Sequence, residues 1–299
     1  MEIVIRNERL TVVISALGAE LQSIKDSDGT EYLWNGNRSY WGNRAPNLFP
    51  YIGRLTQETY RLDGKDYHMG IHGFAACKQF VVQRIDEFAV AFHLEDDEST
   101  RVMYPFRFVL GIEYRLENAC LNITYTVENK GQRTMYFGIG GHPGFALPFE
   151  KGLQFEDYYL KFDEAAALVR VGFSDTCFRT GETKPFSLNN GRLDLEHCMF
   201  DQDAIVLESA ARSVVLMSDK GTKAIRVTYP DMPYIGLWHR SRTIAPYICV
   251  EPWSSLPSHD GIVEDISQQE DLIWLPAGET YCNSWSIDVI DDMGEKQYV

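Results

Sequence analysis

The 299-residue sequence has no apolar run approaching 18 residues, which excludes a transmembrane helix. It has no run of lysines and arginines, and its 43 acidic against 28 basic side chains leave a formal charge of −15. A nucleic-acid backbone or an anionic membrane surface is therefore not expected as a partner. The six cysteines (Cys77, Cys120, Cys177, Cys198, Cys249 and Cys282) are scattered, without a C-x-x-C pair. Such spacing predicts small apolar residues for the most part rather than a disulfide framework. The opening Met1-Glu-Ile-Val-Ile-Arg6 has neither the basic nor the apolar part of an export signal, so a cytoplasmic location is expected. No Pro- or Ser-rich linker, internal repeat or shift in composition divides the chain, which predicts one domain over residues 1–299.

Nucleotide and hydrolase motifs are missing as well. Gly138-Ile-Gly-Gly-His-Pro-Gly144 resembles a phosphate loop superficially, but Pro143 takes the place of the third glycine; a P-loop and a G-x-S-x-G elbow are absent. His68 and His72 stand four apart, yet Gly70 and Gly73 argue against the helix that would bring them to one face, so no metal site is expected from them.

What the chain does have is aromatic residues, 13% of the total, and a hydrophobic period of two. Phe106, Phe108, Leu110, Ile112, Tyr114 and Leu116 fall on alternate positions, with Arg107, Glu113 and Arg115 among the residues between, and Leu121, Ile123, Tyr125 and Val127 repeat the pattern after a short break at 117–119. This predicts a hairpin or a close pair of half-buried antiparallel strands. Weaker strands are expected at 2–5, 11–15, 80–85, 89–94, 205–208, 213–217, 224–229, 247–251 and 282–290, with turns at Asp28-Gly29, Asp63-Gly64, Asn190-Gly191 and Lys220-Gly221. Only 260–270 suggests a short helix. The fold class that follows is all-β, a large antiparallel sandwich or barrel.

Two residues stand out as candidate proton carriers. His142 lies in tightly specified backbone, with glycines before it and Pro143-Gly144 after it. Alone, it reads first as a turn histidine with a satisfied side chain. Glu251 ends the apolar segment Tyr247-Ile-Cys-Val-Glu251 before Pro252-Trp253, and alternation puts Tyr247, Cys249 and Glu251 on one face. Burial there raises a carboxyl pKa toward neutrality, although a strand-end glutamate paired with an arginine would read the same way. Arg54, His72 and Trp238 add hydroxyl donors and an indole face suited to a sugar ring, and each also has an ordinary structural reading.

Seven segments in order resemble the aldose 1-epimerase (galactose mutarotase-like) family, in particular its shorter bacterial branch: Ala45-Pro-Asn-Leu-Phe-Pro-Tyr-Ile-Gly-Arg-Leu55, Ile71-His-Gly-Phe-Ala75, Tyr104-Pro-Phe-Arg-Phe108, Gly140-Gly-His-Pro-Gly-Phe145, Tyr234-Ile-Gly-Leu-Trp238, Ala245-Pro-Tyr-Ile-Cys-Val-Glu-Pro-Trp253 and Leu275-Pro-Ala-Gly-Glu279. The resemblance implies a large twisted antiparallel β-sandwich and cofactor-independent interconversion of the α and β anomers of an aldose. It assigns Glu251 as general base and His142 as general acid. Arg54 and His72 take positions that bind the sugar, and Asp203, with Asp201 as a close rival, takes that of a hydroxyl-binding aspartate. The implied partner is a small-molecule sugar, with a monomer or homodimer as the assembly.

Two departures bear on the substrate. Ala76-Cys77-Lys78 stands where an arginine is common in this branch, so Lys78 is a candidate for a related role. His239-Arg240-Ser241-Arg242 is basic within an acidic chain and reads as a solvated loop or as a contact to an anionic substrate. The alternatives kept open are a hexose-6-phosphate 1-epimerase with the same Glu251 and His142, and a carbohydrate-binding or sensing protein with little turnover.

Overall fold

The computed structural model describes residues 1–163, 167–209 and 211–291. Two large antiparallel sheets carry the fold. The first has nine strands, in the order Arg192–Asp194, Tyr158–Phe162, Ser213–Ser218, Ala224–Thr228, Thr280–Ile290, Cys120–Asn129, Phe108–Glu117, Ala89–Glu95 and Val81–Arg84. The second runs Arg179–Pro185, Leu168–Phe173, Ile205–Ser209, Tyr234–Trp238, Tyr247–Trp253, Gly140–Gly141 and Asn47–Leu48, with Gly144–Ala146 also paired to Tyr247–Trp253. A three-stranded sheet of Glu2–Arg6, Leu10–Ser15 and Leu21–Asp26 flanks them.

Alternation explains the first sheet. Phe108–Glu117 and Cys120–Asn129 bury the apolar members of their period-two pattern, with Ile112 opposite Tyr125 and Tyr114 opposite Ile123. Their turn is Asn118-Ala119, and Asn118 takes φ +54°, a left-handed value that asparagine tolerates better than most residues. Asp63-Gly64 closes a second hairpin, Leu62 pairing with Lys65, and both turn residues have positive φ, as a two-residue type I′ turn requires.

The two sheets share one continuous core. Ile112, Tyr114, Ile123 and Tyr125 from the first meet Leu207, Ile235, Leu237, Ile248 and Val250 from the second. Each such side chain contributes about 1.5–3 kcal/mol on burial. The sandwich expected from the sequence is thus what forms. Across the layer, the buried Asn47 amide donates to the Tyr114 hydroxyl and accepts from Tyr125 at 2.8 Å, which fixes the edge of the second sheet beside Gly140–Gly141.

Three expectations need correction. Residues 260–270 hold only a three-residue 3₁₀ turn, Ile266–Gln268, because the Glu264 carbonyl accepts from the Arg61 amide and Gly261 sits at φ +71°. The one α-helix among the described residues is Glu98–Met103, capped by Asp97, a box the hydrophobic pattern did not reveal. Of the cysteines, all free, only Cys249 is buried; Cys77, Cys198 and Cys282 are exposed, two of them on 3₁₀ turns and the third on an outward position of a half-buried strand. No helix among the described residues is long and apolar enough to cross a membrane.

Candidate functional site

The central strand Tyr247–Trp253 is buried along its whole length and carries Glu251 near its end. On one side it pairs with Tyr234–Trp238, where Gly236 lies directly opposite Glu251. On the other it pairs with Gly144–Ala146 and Gly140–Gly141, Gly144 opposite Cys249 and Gly140 opposite Trp253. The two registers keep the same offset, so His142, midway between those glycines, falls opposite Glu251. Pro143 has no amide to continue the ladder, yet its carbonyl still accepts from the Val250 amide at 3.1 Å. The His142 amide donates to the Pro46 carbonyl, also at 3.1 Å, and the Gly144 amide to Arg44.

The glycines let the backbone come this close. A Cβ on Gly140 would stand 2.6 Å from the Pro252 carbonyl oxygen, and one on Gly141 would stand 2.4 Å from the Trp285 ring. The outcome is that His142 Nε2 lies 3.1 Å from Glu251 Oε2. His142 is 8% exposed and Glu251 1%. His142 Nδ1 is buried without a hydrogen-bond partner, and Glu251 Oε2, though 3.1 Å from His142 Nε2, is not in hydrogen-bond geometry with it, so both are free to take a ligand.

Burial dominates the electrostatics. Desolvation, reinforced by the charge of Asp203, raises the Glu251 pKa well above the usual carboxyl range, and the Trp253 indole N–H, close by but outside formal hydrogen-bond geometry, acts in the opposite sense. Desolvation, with His72 nearby, lowers that of His142 well below the ordinary imidazole value. A charged form of either side chain is costly here unless its partner or a ligand compensates.

The cleft over this pair has a volume of about 360 Å³, at the small end of ligand sites, and its walls include Arg54, His72, Asp203, Trp238, Trp41 and Arg240. His72 adopts φ +63°, and its Nδ1 accepts from the Gly53 amide at 3.1 Å. Burial, then the charge of Arg54, brings its pKa down to about 4, so the neutral ring carries its proton on Nε2. Trp41 stacks on His142 at 4.8 Å between centroids, and Trp238 meets the same ring edge-on at 5.7 Å. Ten non-glycine residues have positive φ among those described, and three of them, His72, Cys177 and Asp203, line this cleft. Uncommon backbone of that kind concentrates at functional sites.

All six residues singled out in the sequence (Arg54, His72, His142, Asp203, Trp238 and Glu251) therefore meet in one cleft. Between the rival aspartates, Asp203 lines it, whereas the Asp201 carboxylate accepts from the Arg242 amide at 3.2 Å. Lys78 does not line it; its ammonium binds Ser99 Oγ and approaches Asp97 at the helix cap. The basic segment divides. Arg240 reaches the cleft, His239 is fully buried against Phe155 and Phe200, and Arg242 is exposed. Trp41 and Cys177 escaped sequence reasoning, since an isolated tryptophan and an isolated cysteine carry no spacing signal.

His68 stays apart from His72, bonded to Thr59 Oγ1 at 2.9 Å. Among the described residues one group has the donors to hold a metal ion: His142, Cys249 and Glu251, with ligand atoms all within 4.8 Å of one another. Burial, reinforced by the Glu251 charge, pushes the Cys249 pKa well up, so a metal ion held there would have to displace the protons of Cys249 and Glu251.

A profile of the aldose 1-epimerase family matches residues 1–270. The chromosomal Protein LacX of Lactococcus lactis subsp. lactis is 34% identical over 303 residues, covering 97% of this chain and 100% of that protein. Among solved structures, a galactose mutarotase related enzyme from Lactobacillus acidophilus superposes with a TM-score of 0.94 at 33% identity, covering 100% of both chains. A galactose mutarotase-like protein from Lactobacillus casei superposes at 0.92 with 31% identity, covering 97% of this chain and 100% of that one.

Proposed function

Because the chain belongs to the aldose 1-epimerase family, we propose that it interconverts the α and β anomers of a free aldose by general acid–base catalysis, without a cofactor. The observation that carries the reading is the buried His142–Glu251 pair, 3.1 Å apart at the base of a cleft of monosaccharide size.

In this reading Glu251 takes the proton of the anomeric hydroxyl while His142 delivers one to the ring oxygen, and the C1–O5 bond opens to the aldehyde. Rotation about C1–C2 exposes the other carbonyl face. Reclosure returns both protons: Glu251 to the carbonyl oxygen, and the O5 hydroxyl to His142. The pair holds one mobile proton throughout. It is a carboxylate with an imidazolium beside the closed ring, and a carboxylic acid with a neutral imidazole beside the open chain. Desolvation favours the second form, as the two pKa directions indicate, so the cleft lowers the cost of the open-chain state. Proton transfer of this kind is worth about 10²–10⁴-fold.

The remaining residues hold the sugar. Arg54 and the Nε2–H of His72 donate to hydroxyls, Asp203 accepts from them, and Trp238 with Trp41 offers aromatic faces to the C–H side of the ring. A phosphorylated hexose is the second reading, favoured by Arg240 and Arg54, which both line the cleft. A pure carbohydrate sensor would have no use for an unpartnered acid–base pair.

Polarimetry of freshly dissolved α-D-galactose and α-D-glucose, with wild type and Glu251→Gln, tests the proposal. Acceleration over the spontaneous rate that is lost in the variant supports it. Binding detected by calorimetry without acceleration replaces it with a sensor, and acceleration confined to glucose 6-phosphate selects the phosphorylated substrate.

A further inference from the structure

We infer that Cys177 is a positioning residue for sugar recognition: its thiol holds the Asp203 carboxylate at the angle from which it accepts a sugar hydroxyl. The inference rests on the proposed sugar-binding role of the cleft.

Cys177 sits in the turn that joins Leu168–Phe173 to Arg179–Pro185, and Asp203 sits just before Ile205–Ser209, the other neighbour of Leu168–Phe173. The two loops thus emerge side by side at one end of the second sheet. Both residues have left-handed backbone, φ +66° for Cys177 and +74° for Asp203, and each is locked by a turn hydrogen bond, Cys177 N–H to the Ser174 carbonyl and Asp203 N–H to that of Phe200. Neither is a residue type that takes such backbone at no cost. Their side chains meet across the gap: Cys177 Sγ donates to Asp203 Oδ2 at 2.7 Å.

The direction of that bond is fixed by chemistry. Burial and the neighbouring carboxylate push the Cys177 thiol up to about 11, so it keeps its proton at neutral pH and remains a donor. One carboxylate oxygen is then occupied and the carboxylate plane is set, which leaves Oδ1 to take a hydroxyl. The thiol lines the same cleft as the unpartnered His142 Nδ1 and Glu251 Oε2, so the contact belongs to a cavity already built for a ligand. Arg54, which also bears on Cys177, completes a cluster of one donor cation, one acceptor carboxylate and the thiol that aligns them.

The test is a KM and kcat comparison for α-D-galactose in wild type, Cys177→Ala, Cys177→Ser, Asp203→Asn and the Cys177→Ala/Asp203→Asn double variant. The serine hydroxyl replaces the donor in the same place. Loss of one hydrogen bond of this kind predicts a KM raised about three- to tenfold in Cys177→Ala, with kcat within about twofold of wild type. Cys177→Ser restores most of the KM, and Cys177→Ala adds nothing further once Asp203 is asparagine. An unchanged KM in Cys177→Ala, or an equal rise in both backgrounds, overturns the inference. The S–H infrared band of Cys177 gives a second readout that needs no sugar. It moves to higher frequency in Asp203→Asn if the bond exists, and an unmoved band refutes the inference even if the wild type proves to be no mutarotase, a result that would separately refute the function.

Discussion

Substituting Gly140 by alanine removes no catalytic atom, yet it should damage both stability and turnover. Gly140 pairs with Trp253 two residues from the point where His142 faces Glu251, on the strand contact that sets their separation. The new Cβ would meet the Pro252 carbonyl oxygen at 2.6 Å, with Trp253 Cδ1 at 3.0 Å and Ile52 Cδ1 at 3.2 Å also in its way. The first of these is backbone and cannot swing aside. To reach a tolerable 3.0–3.4 Å, the two strands must part by about 0.4–0.8 Å. Overpacking of this sort costs about 1–3 kcal/mol. A misplacement of about 1 Å can cost roughly 10²-fold in rate, so the smaller shift here predicts a loss of about tenfold in kcat. The control is Gly70→Ala, where a Cβ meets nothing within 4 Å. Melting temperature by calorimetry and kcat by polarimetry are the assays. A Gly140→Ala protein with wild-type melting and wild-type kcat would refute the argument that this register spaces the pair.

Glu251→Gln should lower turnover by about 10²–10⁴-fold while raising stability at neutral pH. The folded carboxyl has a raised pKa, whereas the unfolded one ionises near 4.5, so its stabilising share is full below that pH and is lost as pH rises toward the folded value. The melting-temperature advantage of the variant should therefore grow from about pH 4.5 upward, and a constant difference would mean the carboxyl is ionised in the free cleft. The acid limb of the rate profile should lie well below 6.5, because His142 resists a second proton, and the pair should keep its last proton to a pH well above 4.5. An acid limb at the ordinary histidine value in kcat/KM would contradict this. Dialysis against a chelator should leave the rate unchanged, while a loss restored by Zn²⁺ would reassign His142, Cys249 and Glu251 to a metal centre.

The central strands of the first sheet could be read from the chain because they are wet on one face: Phe108–Glu117 and Cys120–Asn129 display the period of two almost without exception, whereas Tyr158–Phe162, buried on both faces, showed no such pattern. The second sheet was harder to read. Tyr247–Trp253 is buried on both faces, so its apolar run shows little alternation, and Tyr234–Trp238 escaped notice because it is short and holds a glycine. The helix Glu98–Met103 rests on its Asp97–Thr100 cap rather than on an apolar stripe, so a search by periodicity passes over it. The cysteines misled for a related reason: residue type alone predicted burial, but Cys282 occupies an outward-facing position of Thr280–Ile290.

His142 and Glu251 were each legible as unusual residues, and the family resemblance paired them, but their cross-strand contact could not be read from spacing, because it depends on a register interrupted at Pro143. Once the strands are laid side by side, the arrangement has a clear logic. Glu251 has Gly236 on one flank and His142 on the other, so the side chain that faces the carboxyl from a neighbouring strand is that of His142, its proposed proton partner. Even Gly236 leaves little slack, since a Cβ there would touch the Trp253 ring at 3.0 Å and Glu251 Cβ at 3.3 Å. A cross-strand pair places two Cβ atoms about 4.5–5.5 Å apart with no loop in between, so the backbone ladder itself fixes the geometry of proton exchange. The residues proposed to hold the sugar hydroxyls, His72, Asp203 and Arg54, come instead from turns and loop segments outside the strands, two of them in left-handed backbone. In the proposed function, proton transfer is thereby placed on the sheet and recognition on the loops beside it. Substitutions in the loops should then change which sugar binds, while substitutions in the glycines around Glu251 change how fast any sugar reacts.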